Sequence, residues 1–262
     1  MEFIKLSLEE ELAVVTIDRP KSLNALNSQV YREIIATLRQ VEAMDQVKVV
    51  ILTGAGEKAF AAGADIAQMV HEDAVAGRRL SGLCHEAANL LESIRQVTIA
   101  AVNGFALGGG CELTLACDLR IAADHARFAL PEVTLGIIPG GGGTQRLARL
   151  VGMGMAKQLV YSALNIKADE AYRIGLVNAV YPQAELMENV LKLANKIAKN
   201  APIAVRNCKK AIDDGISLPI EKAVEVEEKL FGDCFETHDQ VEGMSCFLSR
   251  EKPKPKAVFT NN

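Results

Sequence analysis

The chain reads as an α/β fold, and three observations lead there. Leu12–Ile17, Val47–Thr53 and Thr98–Val102 are short, β-branched runs bounded by turn residues, as buried strands are. The segments between them carry apolar residues at helical spacing. Strand, helix and strand therefore alternate along the first half of the chain, which is the pattern of an α/β core.

The first helix is predicted to start at Ser28 as N-cap. Val30, Ile34, Ile35, Leu38 and Val41 form its inner face, with Arg32, Glu33, Arg39 and Gln40 outside. A second helix is expected from about Glu72 to Arg95, ahead of the strand at Thr98. Beyond Gly104 come a short helix (Gly109 to Cys117), a short strand (Leu119 to Ala122) and a loop from Pro139 to Gly143 leading into Thr144. From about Asn165 the chain is mostly helical, with Gly175–Tyr181 as a last strand. Pro202 sits where a first helical turn favours proline, and three helices are expected near 202–213, 219–231 and 237–249. The division read from this is a core over 1–200 and a helical region over 201–262, with no internal repeat array.

Composition excludes several classes. The 262 residues are 49% hydrophobic and 24% charged, an ordinary globular balance with enough chain for a sizeable core. The longest stretch without a charged residue, Gln96 to Cys111, holds four glycines and is too short for a membrane helix. The amino terminus lacks the features of a secretory or import segment, so the cytoplasm is the expected compartment. Six scattered cysteines and four scattered histidines show no metal-ligand spacing, so no metal site is expected. A net charge of −4 argues against nucleic-acid binding, which depends on neutralising phosphates.

Placement of glycine is the informative feature: of 20 glycines, eleven lie between Gly104 and Gly154. Glycine turns that lead into helices suit phosphates, but the spacings fail. Gly110 and Cys111 stand where a phosphate loop needs Lys and Ser or Thr, and Leu113 and Gln145 stand where a dinucleotide fingerprint needs glycine. The remaining use is backbone N–H groups aimed at one developing negative oxygen, with side chains absent so that a substrate can approach. Two acids lie beside these turns, Glu112 and Glu132. Taken alone, Glu112 also reads as a first-turn acid favouring the helix dipole, and Glu132 as a solvent-facing loop acid.

The run Ala100-Ala-Val-Asn-Gly-Phe-Ala-Leu-Gly-Gly-Gly-Cys-Glu-Leu113 resembles the enoyl-CoA hydratase (crotonase) family. The likeness continues through Arg19-Pro-Lys-Ser-Leu-Asn-Ala-Leu26, Lys58-Ala-Phe-Ala-Ala-Gly-Ala-Asp-Ile66, Pro131-Glu-Val-Thr-Leu-Gly-Ile-Ile-Pro-Gly140 and Gly143-Thr-Gln-Arg-Leu147, in family order. The resemblance implies a core of ββα turns coiled into a spiral, followed by a helical region that assembles trimers, commonly stacked as hexamers. It implies an oxyanion hole from the N–H groups of Ala64 and Gly109 around a thioester carbonyl. Hydratases of the family carry both glutamates, whereas isomerases typically keep one carboxylate and dehalogenases use an Asp/His set. Glu112 and Glu132 are thus the implied catalytic pair, in water addition to a trans-2-enoyl-CoA, short-chain such as crotonyl-CoA. Hydration of 3-methylglutaconyl-CoA and double-bond isomerisation are the rival reactions, and a non-catalytic RNA-binding or assembly protein is the rival class.

For the acyl-CoA substrate, the resemblance places Ala62, Ala64, Asp65, Ile66, Ala67, Leu107 and Gly108 at the binding site, with Lys21 near the pantetheine or phosphates. Coenzyme A belongs to the substrate, and no separate cofactor is implied. Two departures stand out. Many hydratases read Phe-Gly-Gln-Pro-Glu where this chain has Phe128-Ala-Leu-Pro-Glu132, which bears on acyl-pocket shape or water placement. Gly141 stands where Ala is common, and the sequence offers no physical reason for it.

Overall fold

The computed structural model describes residues 1–260. Two sheets organise it. The larger contains β1 (Ile4–Glu9), β2 (Leu12–Ile17), β3 (Val49–Gly54), β5 (Val97–Val102), β7 (Leu119–Ala123) and β10 (Ala179–Tyr181), side by side in that order. The smaller contains β4 (Ala59–Ala61), β6 (Phe105–Leu107), β8 (Arg127–Ala129) and β9 (Ile166–Lys167). Among the described residues, only β1 with β2 and β8 with β9 pair antiparallel.

The topology is a spiral. After β3 and β4 comes helix α2 (Ala74–Ser93); after β5 and β6 comes α3 (Gly109–Leu115); after β7 and β8 comes α4 (Gly143–Val151). Each turn adds one parallel strand to each sheet, so the chain segments that leave β4, β6 and β8 emerge side by side. Every residue of β3 and β5 is buried, which explains their continuous apolar runs.

Helix α1 (Ser28–Glu42) packs on β1, β2 and α2. Its cap is Asn27 rather than Ser28, with Asn27 Oδ1 accepting the Val30 N–H at 2.9 Å. The wider helix expected from Glu72 begins at Ala74, because Asp73 accepts from Val75 and Ala76 N–H and so fixes the first turn. The strand expected over 175–181 is reduced to three residues. Strand β1 and the short strands of the smaller sheet were not anticipated, nor was α5 (Met153–Ser162). Helices α6 (Ala168–Arg173) and α7 (Leu186–Ala198) follow, α7 lying against β3, β5 and β7. Helices α8 (Pro202–Gly215), α9 (Ile220–Cys234) and α10 (His238–Leu248) fall where the sequence puts three helices.

Candidate active site

Three segments meet where the smaller sheet ends. Gly108 lies at the junction of β6 and α3 with φ +50°, a conformation that glycine adopts without strain. A Cβ there would stand 2.8 Å from Glu132 Oε1 and 3.7 Å from Gly63 Cα, so one glycine marks the contact of all three. Gly110 lets α3 press onto β4, since a side chain would meet the Ala61 carbonyl.

The chain after β4 is held by α1's approach: Leu26 N–H donates to Gly63 O at 2.8 Å and Asp65 N–H donates to Leu26 O at 2.9 Å. Arg19 reaches Asp65 at 3.3 Å, tying the Arg19-Pro segment to the same turn. These bonds leave the intervening Ala64 N–H uncommitted. Among the described residues neither Ala64 N–H nor Gly109 N–H finds an acceptor, Gly109 being the first residue of α3. Such free donors on adjoining turns can bind an oxyanion.

Glu112 is buried in the first turn of α3, the position where an acid also favours the helix dipole. Its Oε1 accepts hydrogen bonds from Gly141 N–H and Gly143 N–H, each 2.8 Å. Burial raises its pKa, while those two amides and the charges of His85 and Arg146 oppose the rise. Glu132 opens the short 3-10 turn Glu132–Leu135 and is half-buried, not solvent-facing. Its Oε2 is buried without a partner. Burial, with the charge of Glu112 adding to it, pushes the Glu132 carboxyl up to about 7.

The glycine run therefore has a specific task that its sequence did not disclose. Gly141 presents an N–H to Glu112, and a Cβ at 141 would stand 2.7 Å from Glu112 Oε2. The run is itself anchored from α2 and α4. Ser81 Oγ donates to Gly140 O at 2.6 Å, and Arg146 joins Gly141 O at 3.1 Å while forming a two-point ion pair with Glu92. Free amides opening a helix were the available signal for Gly143, but their target lies 31 residues away in the chain.

Ala62, Ala64 and Asp65 are half-buried at the site's edge; Ile66 and Ala67 are exposed beyond it, and Leu107 precedes Gly108 at the end of β6. A cavity of about 900 Å³ opens alongside, with Leu26, Asp65, Met69, Leu80, Leu83 and Ile137 among its walls. Lys21 lies exposed on the turn Pro20–Ser22, and no hydrogen bond or ion pair ties it to the site among the described residues. Lys254 Nζ donates to Phe247 O at 2.8 Å. No cluster of three or more His, Cys, Asp or Glu suited to a metal occurs among the described residues, and no helix there is long and apolar enough to cross a membrane.

The family model for enoyl-CoA hydratase/isomerase matches residues 7–257. The chain belongs to the enoyl-CoA hydratase/isomerase family. It is 53% identical over 254 residues to a short-chain-enoyl-CoA hydratase of Clostridium acetobutylicum, covering 96% of this chain and 97% of that one. It is 51% identical to a crotonyl-CoA hydratase of Syntrophomonas wolfei, with 96% of each covered. Among solved structures, an enoyl-CoA hydratase from Bacillus anthracis superimposes with a TM-score of 0.95 at 39% identity, covering 99% of this chain and 100% of that one. The ββα spiral described above is thus the fold of this enoyl-CoA hydratase/isomerase family member.

Proposed function

We propose that the protein is a hydro-lyase that adds water reversibly to short-chain trans-2-enoyl-CoA thioesters, giving 3-hydroxyacyl-CoA. The observation that carries this reading is the pair of desolvated carboxyls beside two uncommitted backbone N–H groups. Ala64 and Gly109 N–H hold the thioester oxygen and draw electron density from the conjugated alkene. Removing one such donor in an enzyme costs on the order of 10²–10³ in rate.

The two glutamates divide the proton work. The amides on Glu112 Oε1 favour its ionised form, so Glu112 takes the proton of the water that attacks C3. Glu132, with a buried unpartnered oxygen, favours the neutral form and delivers its proton to C2. Both transfers occur on one face, so addition is syn, and dehydration runs the same steps backward. Ala62, Asp65, Ile66, Ala67, Leu107, Gly108 and Lys21 contact the thioester and its CoA, which requires no further cofactor.

The chain works as a homotrimer or a hexamer of two trimers through the region 201–262, and in the cytoplasm. Supporting assembly, Phe231 and Phe247 are 66% and 75% exposed on α9 and α10, apolar surface that water disfavours. Supporting a reducing compartment, all six cysteines are free. The experiment is loss of the conjugated enoyl-thioester absorbance across enoyl-CoAs of different length and branching. Crotonyl-CoA should be turned over fastest, with 3-hydroxybutyryl-CoA as product; a double-bond isomer as product, or no turnover, would overturn the reading.

A further inference from the structure

Beside the two glutamates stands a buried polar group that the steps above leave unused. Tyr31 projects from the inner face of α1 and is 2% exposed, among apolar residues such as Val30, Ile34 and Leu38. A buried hydroxyl in such surroundings is costly unless it has a partner. Its oxygen lies 2.5 Å from where a Cβ on Gly109 would stand, so the absence of that side chain admits the phenol directly behind the first turn of α3. The Cys84 thiol of α2 meets the hydroxyl, and the charges of both Glu112 and Glu132 reach it. Cys84 borders the glycine run as well, its Cβ being 3.3 Å from a Cβ placed on Gly141.

A thiol is a weak hydrogen-bond partner, so it leaves the phenol able to serve a stronger one. Burial raises the Cys84 thiol to about 11 and holds the Tyr31 phenol well above its ordinary range, so both stay protonated and neither competes for the proton in transit. The group in the reaction that lacks a partner is the nucleophilic water. It directs one hydrogen to Glu112 and the other toward Glu132, and one lone pair attacks C3; its second lone pair can accept from a donor. Ala64 and Gly109 N–H are committed to the thioester oxygen, and Gly141 and Gly143 N–H to Glu112.

We propose that Tyr31 is a positioning residue for hydration, its hydroxyl donating to the water between Glu112 and Glu132 and fixing that water for attack on C3. The proposal rests on the two-glutamate reading. Nothing is transferred to or from the phenol: the water proton goes to Glu112, the oxygen bonds to C3, and the Glu132 proton goes to C2.

The test is Tyr31→Phe, which keeps the ring and removes one oxygen. Steady-state hydration of crotonyl-CoA should show kcat lowered about tenfold, the worth of one hydrogen bond, with KM within about twofold, because the lost partner is water rather than the thioester. An unchanged dissociation constant for the thioester, measured by calorimetry, shows that the site is intact. Cys84→Ala, which spares the hydroxyl, should retain kcat within about twofold. Wild-type kcat in Tyr31→Phe, a loss appearing only in KM, or an equal kcat loss in Cys84→Ala would each overturn the proposal. Glu112→Gln and Glu132→Gln run alongside separate the two readings. If either stays active, the glutamate assignment fails; if both are dead while Tyr31→Phe is unimpaired, only the role of Tyr31 fails.

Discussion

Burial acts on both glutamates, but their hydrogen bonds set them apart. Glu112 has one oxygen gripped by two backbone amides, whereas Glu132 keeps a buried oxygen with none. In the proposed mechanism Glu132 donates the proton in hydration, and burial pushes its carboxyl up to about 7, so kcat/KM for hydration should fall as pH rises through about 7. A rate profile still flat at pH 9 would contradict that role. The same shift affects stability. The folded state binds the Glu132 proton more tightly than the unfolded chain, whose value is 4.5, so this contribution is full below 4.5 and lost as pH rises through about 7. Glu132→Gln, which cannot ionise, should melt above wild type at pH 8, with the gap closing toward pH 5; thermal melts at the two pH values check this. Both glutamates were legible as residues because they sit in distinctive runs. The amides of Gly141 and Gly143 as partners of Glu112, and Tyr31 behind Gly109, were not, because each contact joins segments that only the coiled chain brings together.

At the scale of elements, α3 is held where it is by contact too close for any side chain. Gly110→Ala would press a methyl group into the Ala61 carbonyl of β4, displacing α3 and with it Gly109 and Glu112. Overpacking of this kind costs about 1–3 kcal/mol, so the variant should melt lower and lose hydration more than about 100-fold, by analogy with loss of an oxyanion donor. Gly154→Ala, at an exposed position of α5, is the control. Nothing lies within 4 Å of its Cβ, and relief of chain entropy should stabilise it by about 0.4–1 kcal/mol without touching turnover. Helices α1 and α2 were readable because one buried face imposes a helical period on them, and β5 because burial on both faces gives it a continuous apolar run. Strands β4, β6 and β8 have three residues each, too few to show any period, and their burial is decided by the neighbouring turns of the spiral. Asn27, not Ser28, caps α1 because its side chain is the one that reaches Val30 N–H.

For the whole molecule, a spiral whose turns add strands to two sheets brings distant runs to one end, which is why blocks scattered between Arg19 and Leu147 converge on one site. That convergence could be inferred from the family resemblance, but not from any one block. The exposed aromatic surface of α9 and α10, including the Phe231–Phe235 pair at 5.1 Å, belongs to the same scale. Sedimentation velocity should give an assembly of three or six chains, and Phe231→Asp with Phe247→Asp should shift it toward monomer. A wild-type protein sedimenting as a monomer at micromolar concentration would contradict the assembly.

The two-carboxylate chemistry is tested most directly by following the enoyl-thioester absorbance of crotonyl-CoA with the wild type, Glu112→Gln and Glu132→Gln, with thioester binding measured in parallel. The expected result is rapid bleaching by the wild type and a loss of at least about 100-fold in each variant, with binding largely retained. Wild-type turnover in either variant would contradict it.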